Sequence, residues 1–307
     1  MLKIQKILYP TDFSNCSKQT YPHACFLAEK YGAELHILHV ITIHTGDAYD
    51  PSYDFPHLEE YNVHLEKHAM EETDKLIQGY QVGMHKVFKV QERGYSPSAV
   101  ILQYAKDHNI DLIVMGTHGR RGLGYLFLGS VAEEVTRFAK RPVYTVREQK
   151  VAKSVEKINR ILAPVDFSDH SKKSLAYAKF LCEDYNASLE ILHVVEDKIH
   201  PAFYGSGKSS IFDFMPDIWE KSSELIQQML KEVPGPDVET KTNIVEGSAA
   251  KEILKYADKN NIDLIAISTH GRSGSDHFLL GSVAEKVTRR SMCPVFTVKS
   301  FGKDFLN

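Results

Sequence analysis

The chain has 307 residues, 43% hydrophobic and 25% charged, with a formal net charge of −3. That composition is ordinary for a globular protein, and the near-neutral balance offers no broad basic field, so nucleic acid is not an expected partner. No run of about 18 apolar residues and no cationic leader with an apolar core occurs, so neither a membrane partner nor a signal peptide is expected.

In chain order, Ile4–Tyr9 reads as a short apolar strand and Ser17–Tyr31 as a helix ended by Gly32. Leu35–Ile41 is a buried strand. A polar loop, Thr42–Pro56, leads to a long charged helix near Leu58–Gln78. Lys86–Gln91 is a strand, Ser98–His108 a helix, and Leu112–Met115 an apolar run too short for a helix. Ser130–Phe138 is a helix, and Val143–Val146 a closing strand after Pro142. Strands alternating with helices imply parallel βαβ units. Strands covered by helices on both faces explain why ILHV and LIVM are apolar without alternation.

The same order then returns between Ile158 and Val298. ILYPTDFS from Ile7 recurs as ILAPVDFS from Ile161, and NIDLIVMGTHGR from Asn109 recurs as NIDLIAISTHGR from Asn261. LGSVAEEVTR from Leu128 recurs as LGSVAEKVTR from Leu280. An offset of roughly 150 residues is a duplicated domain, far beyond a solenoid period. Each unit is large enough for its own core. The expected domains are residues 1–148 and 157–302, joined by a charged linker, Glu148–Glu156. The four cysteines form no C-x-x-C pair and do not recur between copies, so reduced thiols in a cytoplasmic protein are expected.

Ligands of open parallel sheets bind beyond the carboxyl ends of the strands. There, Gly116-Thr-His-Gly119 is followed after nine residues by Gly129-Ser130, which opens a helix. Glycines admit close approach to the backbone, and a helix N-terminus attracts anions. Arg120 and Arg121, and His118 when protonated, add positive charge, so the pattern suits a polyphosphate. The plainer alternative is a capping box, which both Ser130-Val-Ala-Glu133 and Ser282-Val-Ala-Glu285 fit. Asp12 and Asp166, in P-x-D-F-S, suit an adenine amino group or a ribose hydroxyl; the alternative is an N-cap or Asx turn.

On these motifs the chain resembles the universal stress protein family in its tandem form, across both copies. The pattern G-x2-G-x9-G-[ST] is complete at Gly116, Gly119, Gly129 and Ser130. The resemblance implies two tandem doubly wound α/β domains, each a five-stranded parallel sheet with helices on both faces, of the Rossmann-like, adenine nucleotide alpha hydrolase-like type. It implies ATP, with or without Mg2+, as ligand. Pro10, Thr11, Asp12 and Val40 would surround the adenosine, and Met115, Gly116, His118, Gly119, Gly129, Ser130 and Val131 the remainder. The second-copy counterparts are Asp166, Val194, Gly271, Gly281 and Ser282. It also implies a nucleotide-dependent regulator or adaptor with an unidentified protein partner. The closing strands would pair as an intramolecular pseudo-dimer, with a further homodimer left open.

The second copy departs from the pattern. Ser268 replaces Gly116 and is expected to narrow the approach or to require an unfavourable dihedral. Arg121 becomes Ser273, and Asp276 stands where the first copy has Gly124. A carboxylate near phosphates is repulsive, so ATP is expected mainly in the first copy. Ala202–Ser209 fits a relaxed Walker pattern but lacks the required strand before and helix after it. His64 and His68 share a helix face within reach of His57, yet too few ligands accompany them, so solvated residues are expected and no metal site. His39 and His193 read as satisfied core histidines, with a place near the ligand left open. Loops for adenylylation are absent, so catalysis beyond slow ATP hydrolysis is not expected.

Overall fold

The structure, a computed structural model, describes residues 2–43, 58–80, 86–119, 128–150, 157–196, 210–271 and 280–299. The first repeat runs β1 (Lys6–Pro10), α1 (Asn15–Tyr31), β2 (Glu34–Thr42), α2 (Leu58–Gly79), β3 (Val87–Gly94), α3 (Pro97–Asp107), β4 (Leu112–Gly116), α4 (Ser130–Phe138) and β5 (Val143–Val146). The second runs β6 (Arg160–Val165), α5 (Asp169–Tyr185), β7 (Ser188–Val195), α6 (Ile211–Phe214), α7 (Ile218–Glu232), β8 (Thr240–Glu246), α8 (Ala249–Lys259), β9 (Leu264–Ser268), α9 (Ser282–Arg290) and β10 (Val295–Val298).

Two compact units result. One is built on Ile4–Ala139, the other on the chain from Glu156 together with Lys140–Arg147. In the first, β3, β2, β1 and β4 lie side by side in that order, all parallel. In the second, β8, β7, β6, β9 and β10 form the five-stranded parallel sheet. Strand β5 pairs antiparallel with β10, Tyr144 opposite Phe296. The order reverses between β1 and β4, and between β6 and β9, which opens a crevice beyond those strand ends.

Helices cover both faces. In the first unit the Lys18–Glu72 ion pair (3.4 Å) joins α1 to α2, and a Tyr21–Tyr80 ring contact joins α1 to the residue after α2. A Ser98–Glu134 hydrogen bond joins α3 to α4 on the other face. Ile7, Leu8 and Tyr9 of β1 are therefore fully buried. Helix α1 begins two residues before the expected Ser17, because Ser14 caps it by accepting the Ser17 N–H (3.2 Å). The segment after β5 is tied down by a reciprocal pair, Gln149 N–H to Gln19 Oε1 (2.8 Å) and Gln19 Nε2 to Gln149 O (2.9 Å).

The repeated NIDL segment proves to be structural. Asn109 and Asn261 take left-handed φ of 52° and 50°, as residues leaving a helix do. Asp111 Oδ2 then accepts the main-chain N–H groups of Gln5 (2.8 Å) and Lys6 (3.0 Å), anchoring the entry to β1. Asp263 does the same for Asn159 and Arg160.

His23, buried in α1, has its pKa lowered by desolvation from 6.5 to about 4. Above pH 6.5 the ring is neutral folded or unfolded and contributes no pH dependence. Below that, the unfolded chain takes the proton first, and stability is lost until the folded ring also titrates. A wild-type loss of about 2 kcal/mol between pH 6.5 and about 5, absent from His23→Leu, is the expected result of urea titrations.

Candidate functional site

The crevice of the first repeat opens at the end of β1. Pro10 is the last residue of that strand, paired with Leu38, and Thr11 N–H extends the ladder to Leu38 O (2.8 Å). Asp12 follows, half-buried. Its Oδ1 accepts the Ser14 N–H (3.1 Å), an Asx turn. The N-cap of α1 is Ser14, so the N-cap alternative for Asp12 does not hold. In the second repeat Asp166 Oδ1 accepts from Ser168 N (3.1 Å), and Ser168 is the cap. In both turns the next residue is strained, with φ of 61° at Phe13 and 65° at Phe167.

The other Asp12 oxygen faces the glycine loop. A Cβ built on Gly119 would stand 2.6 Å from Asp12 Oδ2, and one on Gly271 2.6 Å from Asp166 Oδ2. Glycine at this position thus makes room for the carboxylate. Gly116, at the end of β4, has a different neighbour: a Cβ there would lie 2.8 Å from Cys16 Sγ. In the second repeat His170 replaces Cys16, and Ser268 fits, its hydroxyl donating to His270 O (2.6 Å). Ser268 has no positive φ, so the expected unfavourable dihedral is not required; the space beside α1 is what differs.

Gly129 closes the loop. Its N–H donates to Thr117 O (2.8 Å), and Gly281 N–H repeats this with Thr269 O (2.7 Å). A Cβ at Gly129 would press on Thr117 O at 3.1 Å. Gly129 is the N-cap of α4, with Ser130 its first residue, and no side chain caps the helix. The same holds for Gly281 and Ser282 in α9. The alternative capping boxes do not form: Glu133 turns along its helix to Arg137 (2.6 Å), and Glu285 to Arg289 (3.5 Å). With glycine as cap, the first-turn N–H groups at exposed Ser130 and half-buried Val131 have no side-chain acceptor from the cap.

The remaining residues fall around this centre. Met115 is buried in β4, and His118 is half-buried with Nδ1 2.8 Å from Thr117 Oγ1. Val40 and Val194 are half-buried near the ends of β2 and β7. Each follows a histidine whose ring lies over the strained phenylalanine, at 4.7 Å for His39–Phe13 and 4.4 Å for His193–Phe167. These histidines therefore belong beside the candidate site, a placement that apolar neighbours in the sequence obscured. Cys16 and the Phe13 conformation gave no signal in the sequence either.

Arg120, Arg121, Gly124, Arg272, Ser273 and Asp276 lie outside the described residues, as do the Walker-like residues Ala202–Ser209 and His57. Just after the Walker-like stretch, where no helix was expected, the four-residue α6 forms. Ser210 caps it, and Glu246 accepts the Ile211 N–H (2.7 Å). His64 and His68 are exposed on α2. Among the described residues no group of three His, Cys, Asp or Glu side chains is placed to hold a metal ion. No described helix is long and apolar enough to cross a membrane.

The profile of the universal stress protein family matches residues 3–147 and again 157–299. A universal stress protein of Methanocaldococcus jannaschii is 31% identical over 146 residues, covering 47% of this chain and 84% of that one. One from Synechocystis is 23% identical over 319 residues, covering 96% of this chain and all of its own length (100%). The crystal structure of a universal stress protein from Archaeoglobus fulgidus aligns with a TM-score of 0.66 at 26% identity, covering 97% of each chain. With both halves matched by one family and a solved member aligned to 97% of the chain, the chain belongs to the universal stress protein family, in tandem form.

Proposed function

We propose that the protein binds ATP in the crevice of its first repeat and acts as a nucleotide-dependent regulator or adaptor for a protein partner. One observation carries the reading: a carboxylate with one oxygen held in a turn and the other against a glycine, beside a helix N-terminus that its own cap leaves open. Asp12 would accept from the base or ribose. The first-turn amides of α4 would face the phosphates, where the helix dipole favours negative charge. The Gly129 N–H is already spent on Thr117 O, so its part is to bring Ser130 and Val131 beside Gly119. ATP supplies the triphosphate charge these groups would neutralise, and magnesium, where present, would arrive on the phosphates.

The second repeat keeps Asp166 and Gly271 in the same relation. Its floor differs, with His170 and the hydroxyl of Ser268 in place of Cys16 and Gly116. That change supports a weaker or different ligand there. Mass spectrometry of nucleotide carried through purification, followed by ATP titration of the full chain, tests the proposal. Asp12→Ala should weaken the tighter site about tenfold, the loss of one good hydrogen bond to a charged group. Undiminished binding in that variant would place the nucleotide elsewhere.

A further inference from the structure

We infer that His39, and His193 in the second repeat, are positioning residues that hold the aspartate-bearing turn in its strained form. A bulky residue with φ near +60° is an outlier and persists only where its surroundings over-determine it. Here it occurs twice, at Phe13 and Phe167, each directly after the aspartate. The two repeats act as a control on each other. In the first, Thr11 Oγ1 also accepts the Phe13 N–H (3.1 Å); in the second, Val165 has no hydroxyl to do so. Beyond the Asx turn, both repeats share the histidine.

His39 Nδ1 lies 2.8 Å from Thr11 O, and His193 Nδ1 lies 2.9 Å from Val165 O. A carbonyl oxygen only accepts, so each Nδ1 carries the proton and donates. The bond goes to main chain, which is why Thr11 and Val165 can differ. The same ring covers the phenylalanine on the other side. The residue before the aspartate and the residue after it are thus both held by one imidazole. Relaxation of Phe13 to negative φ would rotate the turn and draw Asp12 Oδ2 away from Gly119. Since the purpose assigned to that carboxylate is ATP recognition, this inference rests on the reading proposed above.

The test uses the full chain with His39→Ala, Phe13→Gly and the double variant. His39→Ala should weaken ATP binding about tenfold, a factor equal to 1.4 kcal/mol. Glycine enters φ of +61° freely, so in the Phe13→Gly background the same histidine change should cost no more than about threefold. An equal loss in both backgrounds would mean that His39 acts independently of the Phe13 conformation and overturn the inference. Should His39→Ala fold poorly, His39→Phe keeps the ring and removes only the donor; wild-type affinity there would also overturn it. A crystal structure of the histidine variant decides independently of ATP. Phe13 should move to negative φ with Asp12 displaced, and an unchanged turn would refute the clamp. Failure of the wild type to bind ATP would sink the proposed function alone, leaving this crystallographic arm to judge the clamp.

Discussion

Gly119→Val should weaken ATP binding by the full chain about 100-fold, near 2.7 kcal/mol. The Cβ of any larger residue at 119 meets Asp12 Oδ2 at 2.6 Å. Asp12 is a short side chain and its other oxygen is engaged by the Ser14 N–H, so it cannot step aside without breaking the Asx turn. Valine also puts two methyl groups beside the first turn of α4, where the phosphates would approach. The effect therefore exceeds that of Asp12→Ala, which removes one partner and leaves the approach open. Stability should change much less, because Gly119 is exposed and its φ is not in the left-handed region. Isothermal titration calorimetry with a parallel urea melt separates the two quantities. Binding within twofold of wild type, with the fold intact, would show that the carboxylate and the glycine loop do not share a ligand.

Asp111→Ala should lower the unfolding free energy by about 3 kcal/mol, the largest stability effect expected here. Asp111 is 4% exposed and accepts two main-chain N–H groups at the start of β1. Alanine leaves both donors without that acceptor beside a buried strand, which costs more than the net worth of the bonds. Asp263→Ala should cost less, since Asp263 is more exposed and water can replace it. Nucleotide affinity should hold in both, because these aspartates lie at the amino ends of the strands. Urea unfolding monitored by circular dichroism gives the comparison, and equal losses would contradict the burial argument.

The order of strands and helices was legible because each period is local: ILHV and LIVM mark strands whatever they pack against. The bounds of α4 and β5 fall on the expected residues, Ser130–Phe138 and Val143–Val146. Roles were less legible than positions. Ser130 with Glu133 reads as a capping box, yet the cap is Gly129, whose N–H is held by Thr117 O, and Ser130 is the first helical residue. Ser268 reads as an obstruction, yet it is satisfied by His270 O where Cys16 has given way to His170. His39 reads as core because its neighbours are apolar, but its ring faces a turn formed some 26 residues earlier in the chain.

The amino-acid sequence by itself determined the duplication, the alternating α/β order, and the residue types at the strand ends. These follow from internal identity and from periodicity, which need no partner to be read. Only the tertiary structure decided that Asp12 answers Gly119 and that two phenylalanines sit in left-handed backbone. Each of those depends on which segments meet across the sheet. Contacts between distant segments set such preferences, and a local pattern carries no record of them.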